Sequence, residues 1–107
     1  MTDKPYSPQD AQVIVETPDV RVSEITLAPR AATPSHEHTE VEELCYCLEG
    51  EVTCEVEGGE SVVLMPGRKM HFPARQDHRL MNHGDVPCRF LLVHGVGRFN
   101  FVKTPRS

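Results

Sequence analysis

Short apolar runs, each closed by turn-forming residues, restrict the folds open to this chain more than any other feature. They cover residues 12–17, 21–28, 43–48, 51–57, 61–65, 69–72, 78–82 and 89–94. Between them stand Pro18, Pro29, Gly50, Gly58-Gly59, Pro66-Gly67, Pro73, His83-Gly84-Asp85 and Gly95. Proline cannot donate to a ladder of strand hydrogen bonds and glycine accepts turn geometry, so both fall between strands. No long stretch has a helical period, and no internal repeat or low-complexity tract is present. Many short strands at even spacing predict an all-β protein, an antiparallel sandwich or barrel.

Within this pattern, residues 1–12 carry two prolines and many polar groups and read as an extended arm. Residues 13–107 read as one domain, since a chain of 107 residues buries one core but not two. The turn at Glu49-Gly50 predicts a hairpin. A two-residue loop would set Cys45 opposite Cys54 and Glu43 opposite Val56, and a glycine bulge would shift that pairing by one. The alternation of Val52, Cys54 and Val56 with Thr53, Glu55 and Glu57 supports such a strand. The tail segment Phe99-Asn100-Phe101-Val102 reads either as a last strand or as a cover over an edge or a partner.

Charge and cysteine usage remove several function classes. A net charge of −5 without a basic cluster argues against nucleic acid, whose binding depends on neutralising phosphates. The amino end is polar, and no apolar run approaches the ~20 residues needed to span a bilayer. The expectation is a soluble, cytoplasmic protein that touches neither nucleic acid nor membrane. Cys45, Cys47, Cys54 and Cys88 lack the C-x-x-C spacing of a structural zinc site and read as small thiols filling the interior.

The chemistry concentrates in two places. One is His36-Glu37-His38 followed by Glu43, and the other is His78. Histidines at i and i+2 on a strand share a face, because strand side chains alternate. A carboxylate five residues on can return to that face, and a histidine from a distant strand can close the set. Three imidazoles and one carboxylate suit a divalent transition metal.

These residues resemble the cupins. The first cupin motif, G-x5-H-x-H-x3,4-E-x6-G, is matched without a gap by His36, His38, Glu43 and Gly50. The second, G-x5-P-x-G-x2-H-x3-N, is matched by Gly67, Pro73, His78 and Asn82, and the two motifs together span residues 30–82. The resemblance implies a small antiparallel jelly roll, also called a double-stranded β-helix barrel. It also implies that His36, His38, Glu43 and His78 hold one divalent transition metal (Fe, Mn, Ni or Zn) in the barrel interior. Cupins use such a centre for dioxygenation, isomerisation, cyclisation, decarboxylation and lyase chemistry on small molecules. The implied function is therefore a metal-dependent enzyme acting on a small organic molecule, a dioxygenase or an isomerase or cyclase. The alternatives are a non-catalytic module binding a metal or small molecule, and a metal that only clamps strands together. Open sheet edges and the resemblance together imply a homodimer.

Two positions depart from the motifs. Arg30 and Arg75 stand where cupins carry glycine, so both turns are expected to adopt another geometry. The two arginines would be solvated or would bind an anionic ligand at the rim. The spacing to Gly50 selects Glu43 over Glu42, and a strand turns only one of that pair toward the metal. Among other candidates, His71 could face the cavity as an acid, base or ligand-supporting group, or could simply pack. His83 reads as solvated, His94 as pointing either way, and Tyr46 as facing outward.

Overall fold

The computed structural model describes residues 11–95, 97 and 99–105. Ten strands are present among them: β1 (Ala11–Glu16), β2 (Val20–Leu27), β3 (His36–Glu37), β4 (Glu42–Glu49), β5 (Val52–Val56), β6 (Val62–Leu64), β7 (Lys69–Phe72), β8 (His78–Met81), β9 (Cys88–Gly95) and β10 (Val102–Lys103). They form two five-stranded antiparallel sheets, ordered β1-β2-β9-β4-β7 and β10-β3-β8-β5-β6. Apart from the β1–β2 and β5–β6 hairpins, each strand is followed by one in the other sheet. This is the jelly roll. Among the described residues no helix is long and apolar enough to cross a membrane.

The core fills the space between the sheets with inward residues at every second position. Ile25 and Leu27 come from β2, Cys45 and Cys47 from β4, Phe90 from β9, and Val52, Cys54 and Leu80 from the facing sheet. The four cysteines are all free and buried. Small thiols fit where two twisted sheets approach closely, and burial pushes Cys88 up to about 12, which keeps it an unreactive thiol.

The expected hairpin at Glu49-Gly50 does not form. β4 pairs with β7 and β9, whereas β5 pairs with β6 and β8. The turn carries the chain from one sheet to the other, so Glu43 lies opposite Phe72 and His94, and Val56 lies opposite His78. Cys45 and Cys54 still meet, but across the gap between sheets, where Cys54 and burial push the Cys45 thiol up. Gly50 makes the crossing possible: its φ is +70°, and a Cβ there would stand 2.9 Å from the Pro87 carbonyl oxygen.

The two arginines also correct an expectation. Arg30 and Arg75 have φ of 71° and 67°, so they adopt the left-handed conformation that glycine would take. The backbone keeps the turn geometry and compensates by hydrogen bonding. Arg30 N donates to Asn82 O at 2.9 Å, and its guanidinium bridges His83 O and Asp85 Oδ1. Arg75 N donates to His38 O at 2.7 Å. Residues 1–10 of the expected arm lie outside the described residues, and residues 11 and 12 already belong to β1.

Candidate metal centre

His36, His38, Glu43 and His78 converge from both sheets. His36 pairs with His78 across β3 and β8, His38 follows immediately after β3, and Glu43 enters from β4 in the facing sheet. One ligand atom from each lies within 4.8 Å of all the others, and all four side chains are buried. Glu42, its side chain turned the other way, is exposed and contacts His71 Nε2 at 2.9 Å.

Hydrogen bonding fixes which nitrogen of each histidine faces inward. Nδ1 of His36 meets Pro34 O at 2.8 Å, Nδ1 of His38 meets Asn100 O at 2.5 Å, and Nδ1 of His78 meets Gln76 O at 2.9 Å. A carbonyl oxygen only accepts, so each Nδ1 carries the hydrogen and each neutral ring turns a bare Nε2 inward. The His38 Nε2 faces Glu43 Oε1 at 2.9 Å. His78 Nε2 and Glu43 Oε2 lie 3.2 Å apart, buried and without a hydrogen-bond partner. Acceptors aimed at acceptors in a dry site repel one another unless a proton or a cation sits between them. The donor set therefore fits a divalent transition metal, with second partners already orienting each imidazole.

Charge follows the same geometry. Burial, then the nearby His78, brings His36 down to about 4, so it is a neutral imidazole at neutral pH. Burial opposes ionisation of Glu43, but His38, His78 and His94 outweigh it and hold the carboxyl well below the usual carboxylate range. Burial also opposes the charged form of His78, yet the contact with Glu43 raises it above an ordinary histidine. His94 is lowered, because burial outweighs the attraction of Glu43.

Aromatic rings wall the cluster. Phe72 stacks on His78 at 4.2 Å between centroids, and Phe101 stacks on His36 at 4.1 Å. Phe99 lies against His38 and His94. Asn100, between the two phenylalanines, accepts from Thr39 N at 2.9 Å and donates to Thr39 Oγ1 at 2.6 Å. The tail thus covers the ligands over residues 99–101 and then adds β10 to the edge beside β3.

Other candidates fall elsewhere. His71 does not face the cavity: it pairs with Leu44 across β4 and β7, so it lies on the outer face, its side chain 47 % exposed. Tyr46, on that face too, lies beneath Lys69 Nζ. His83 is exposed. His94 points inward, 3 % exposed, with Nε2 at 2.7 Å from Glu43 Oε1. Its parity with Phe90 and Leu92, both buried, was a signal available in the chain.

A cupin domain family model, Cupin_2, matches residues 23–94. Among curated proteins none matches this chain. Similar solved structures include an uncharacterized conserved protein with a double-stranded β-helix domain from Klebsiella pneumoniae. It is 24 % identical with a TM-score of 0.81, covering 94 % of this chain and 90 % of that one. TT1209 from Thermus thermophilus is 29 % identical with a TM-score of 0.74, covering 86 % of this chain and 89 % of that one. The DMSP lyase DddQ from Ruegeria pomeroyi shares the fold at 20 % identity and a TM-score of 0.80, covering 91 % of this chain and 52 % of that one.

Proposed function

The chain belongs to the cupin domain family, and on that premise we propose that it holds one divalent transition metal and acts on a small organic molecule in the barrel interior. His36, His38, Glu43 and His78 are the ligands. The observation that carries this reading is the inward convergence of three imidazoles and Glu43, with His78 Nε2 facing Glu43 Oε2 at 3.2 Å and neither atom hydrogen-bonded. A bound metal supplies Lewis acidity toward an oxygen of the ligand. The chain's own part is to fix the ring orientations through the carbonyls of Pro34, Gln76 and Asn100. Phe72, Phe99 and Phe101 exclude water from the same place, which strengthens every electrostatic interaction there.

The reading extends to an enzyme of the dioxygenase or isomerase type, working as a homodimer in the cytoplasm. Four buried thiols outside any disulfide suit a reducing compartment. Metal analysis of the purified protein, followed by reconstitution with Fe, Mn, Ni or Zn and a mass-spectrometric screen for turnover of small organic acids and sugars, tests it. One equivalent of metal with turnover is the expected result. Tight binding of a small molecule without turnover would favour a non-catalytic module, and absence of metal binding would overturn the reading.

A further inference from the structure

The sheet that carries Glu43 lays a row of side chains on its inner face. Register runs from Glu16 on β1 to Arg21 on β2, His94 on β9, Glu43 on β4 and Phe72 on β7. Directly opposed residues share a face, so all five look toward the interior or its rim. In this row His94 is the residue in hydrogen-bond contact with a candidate ligand: its Nε2 lies 2.7 Å from Glu43 Oε1.

The chemistry of that contact fixes its direction. An ionised carboxylate only accepts, so His94 Nε2 carries the hydrogen and donates. His94 therefore takes the opposite tautomer to His36, His38 and His78, whose Nδ1 atoms face carbonyls. Its own Nδ1 is buried and has no hydrogen-bond partner, so no other bond competes for the ring's orientation. Packing holds the ring, which sits edge-on to His38 at 4.5 Å and against Phe99 at 4.7 Å.

We propose that His94 is a positioning residue: its N–H holds Glu43 Oε1, the oxygen that His38 Nε2 also faces at 2.9 Å, and so turns Oε2 toward His78 Nε2, where it would meet a metal. This rests on the metal-binding reading above. A carboxylate bound through one oxygen occupies one coordination position, whereas one bound through both takes two. By holding Oε1, His94 would favour attachment through Oε2 alone. Outer partners of this kind carry measurable weight, since their removal costs about 10–100-fold in metal affinity.

Two measurements test this, and neither needs turnover. Long-range ¹⁵N–¹H correlation spectra of the wild-type protein report the His94 tautomer directly. Hydrogen on Nε2 is expected, and a bare Nε2 would overturn the proposal even if every variant failed to fold. Co²⁺ titrations followed by visible absorption then compare wild type with His94→Gln, whose amide still offers an N–H, and His94→Met, which offers none. His94→Gln is expected near wild type and His94→Met about 10–100-fold weaker, both with wild-type melting curves. Equal affinity for His94→Met and wild type would overturn it. So would equal weakening in both folded variants, which would assign the effect to ring packing. If wild type binds no Co²⁺, the metal reading falls and takes this inference with it; if wild type binds and His94→Met binds as well, only this inference falls.

Discussion

A strand offers its side chains to alternate faces, and at Glu42 and Glu43 that alternation separates two identical functional groups. Glu43 is buried among histidines, whereas Glu42 meets His71 in solvent. Glu43→Ala is therefore expected to abolish stoichiometric metal, and Glu42→Ala to leave it nearly intact. Metal content of the two purified variants decides this, and equal loss would contradict the assignment. Protons compete for the same atoms. The raised His78 keeps its proton to higher pH in the metal-free protein. That proton stabilises the metal-free fold below the ordinary histidine value, and the stabilisation is lost as pH rises through the raised one. Metal must displace it, so affinity falls as pH drops below the raised value, approaching about tenfold per pH unit. Calorimetric titration with Zn²⁺ in buffers spanning about pH 6 to 8 should show the slope and a released proton; a flat affinity would count against it. His36 and His38 were legible as a pair because their spacing repeats a strand's alternation, and Glu43 and His78 through the spacing of the two motifs. The carbonyl that orients His38 was not: Asn100 lies 62 residues away, and nothing local links the two.

At the scale of elements, punctuation located eight of the ten strands to within a residue or two, leaving out the two-residue β3 and β10, while pairing escaped. Val52, Cys54 and Val56 alternate with polar residues whether β5 pairs with β4 or faces it across a core, because either arrangement buries one face. What separates the two arrangements is the turn. Gly50 and Gly58 both have positive φ, but a Cβ at Gly50 meets the Pro87 carbonyl oxygen at 2.9 Å, and one at Gly58 meets nothing within 4 Å. Gly58→Ala should cost about 1 kcal/mol from backbone conformation alone. Gly50→Ala should cost about 2–4 kcal/mol, because the sheet crossing must also shift. Urea melts of both variants measure the difference, and equal losses would refute it. Arg75 offers the reverse case. It is exposed at φ 67°, and the bond from its backbone N to His38 O needs no side chain. Arg75→Gly should leave stability unchanged or raise it by up to about 1 kcal/mol, seen as a higher Tm with metal content unaltered.

Over the whole molecule, the stretch matched by the family model ends before the tail that walls the candidate metal cluster and begins after β1. The motifs therefore spoke to the fold and the candidate ligands, whereas β1 was legible only as an apolar run and the tail only as a last strand or a cover. β1 is an edge strand, and its Val13, Ile14 and Val15 are all exposed, at 43 %, 52 % and 45 %. A bulge between Val13 and Val15 interrupts its pairing with β2. Bulges and charges are the usual means of blunting an edge, yet three exposed apolar residues remain here. An exposed apolar edge with unpaired backbone groups is a template for a second copy, which would supply strand hydrogen bonds and cover the side chains together. Light scattering should therefore report about twice the 12.0 kDa chain mass at micromolar concentration. Ile14→Lys sets a charge on the edge without touching the metal cluster, so it should move the mass toward the monomer while metal content stays at the wild-type level. A wild-type mass of one chain would refute the dimer. A dimer that survives Ile14→Lys would mean that the two copies meet through a face other than this edge.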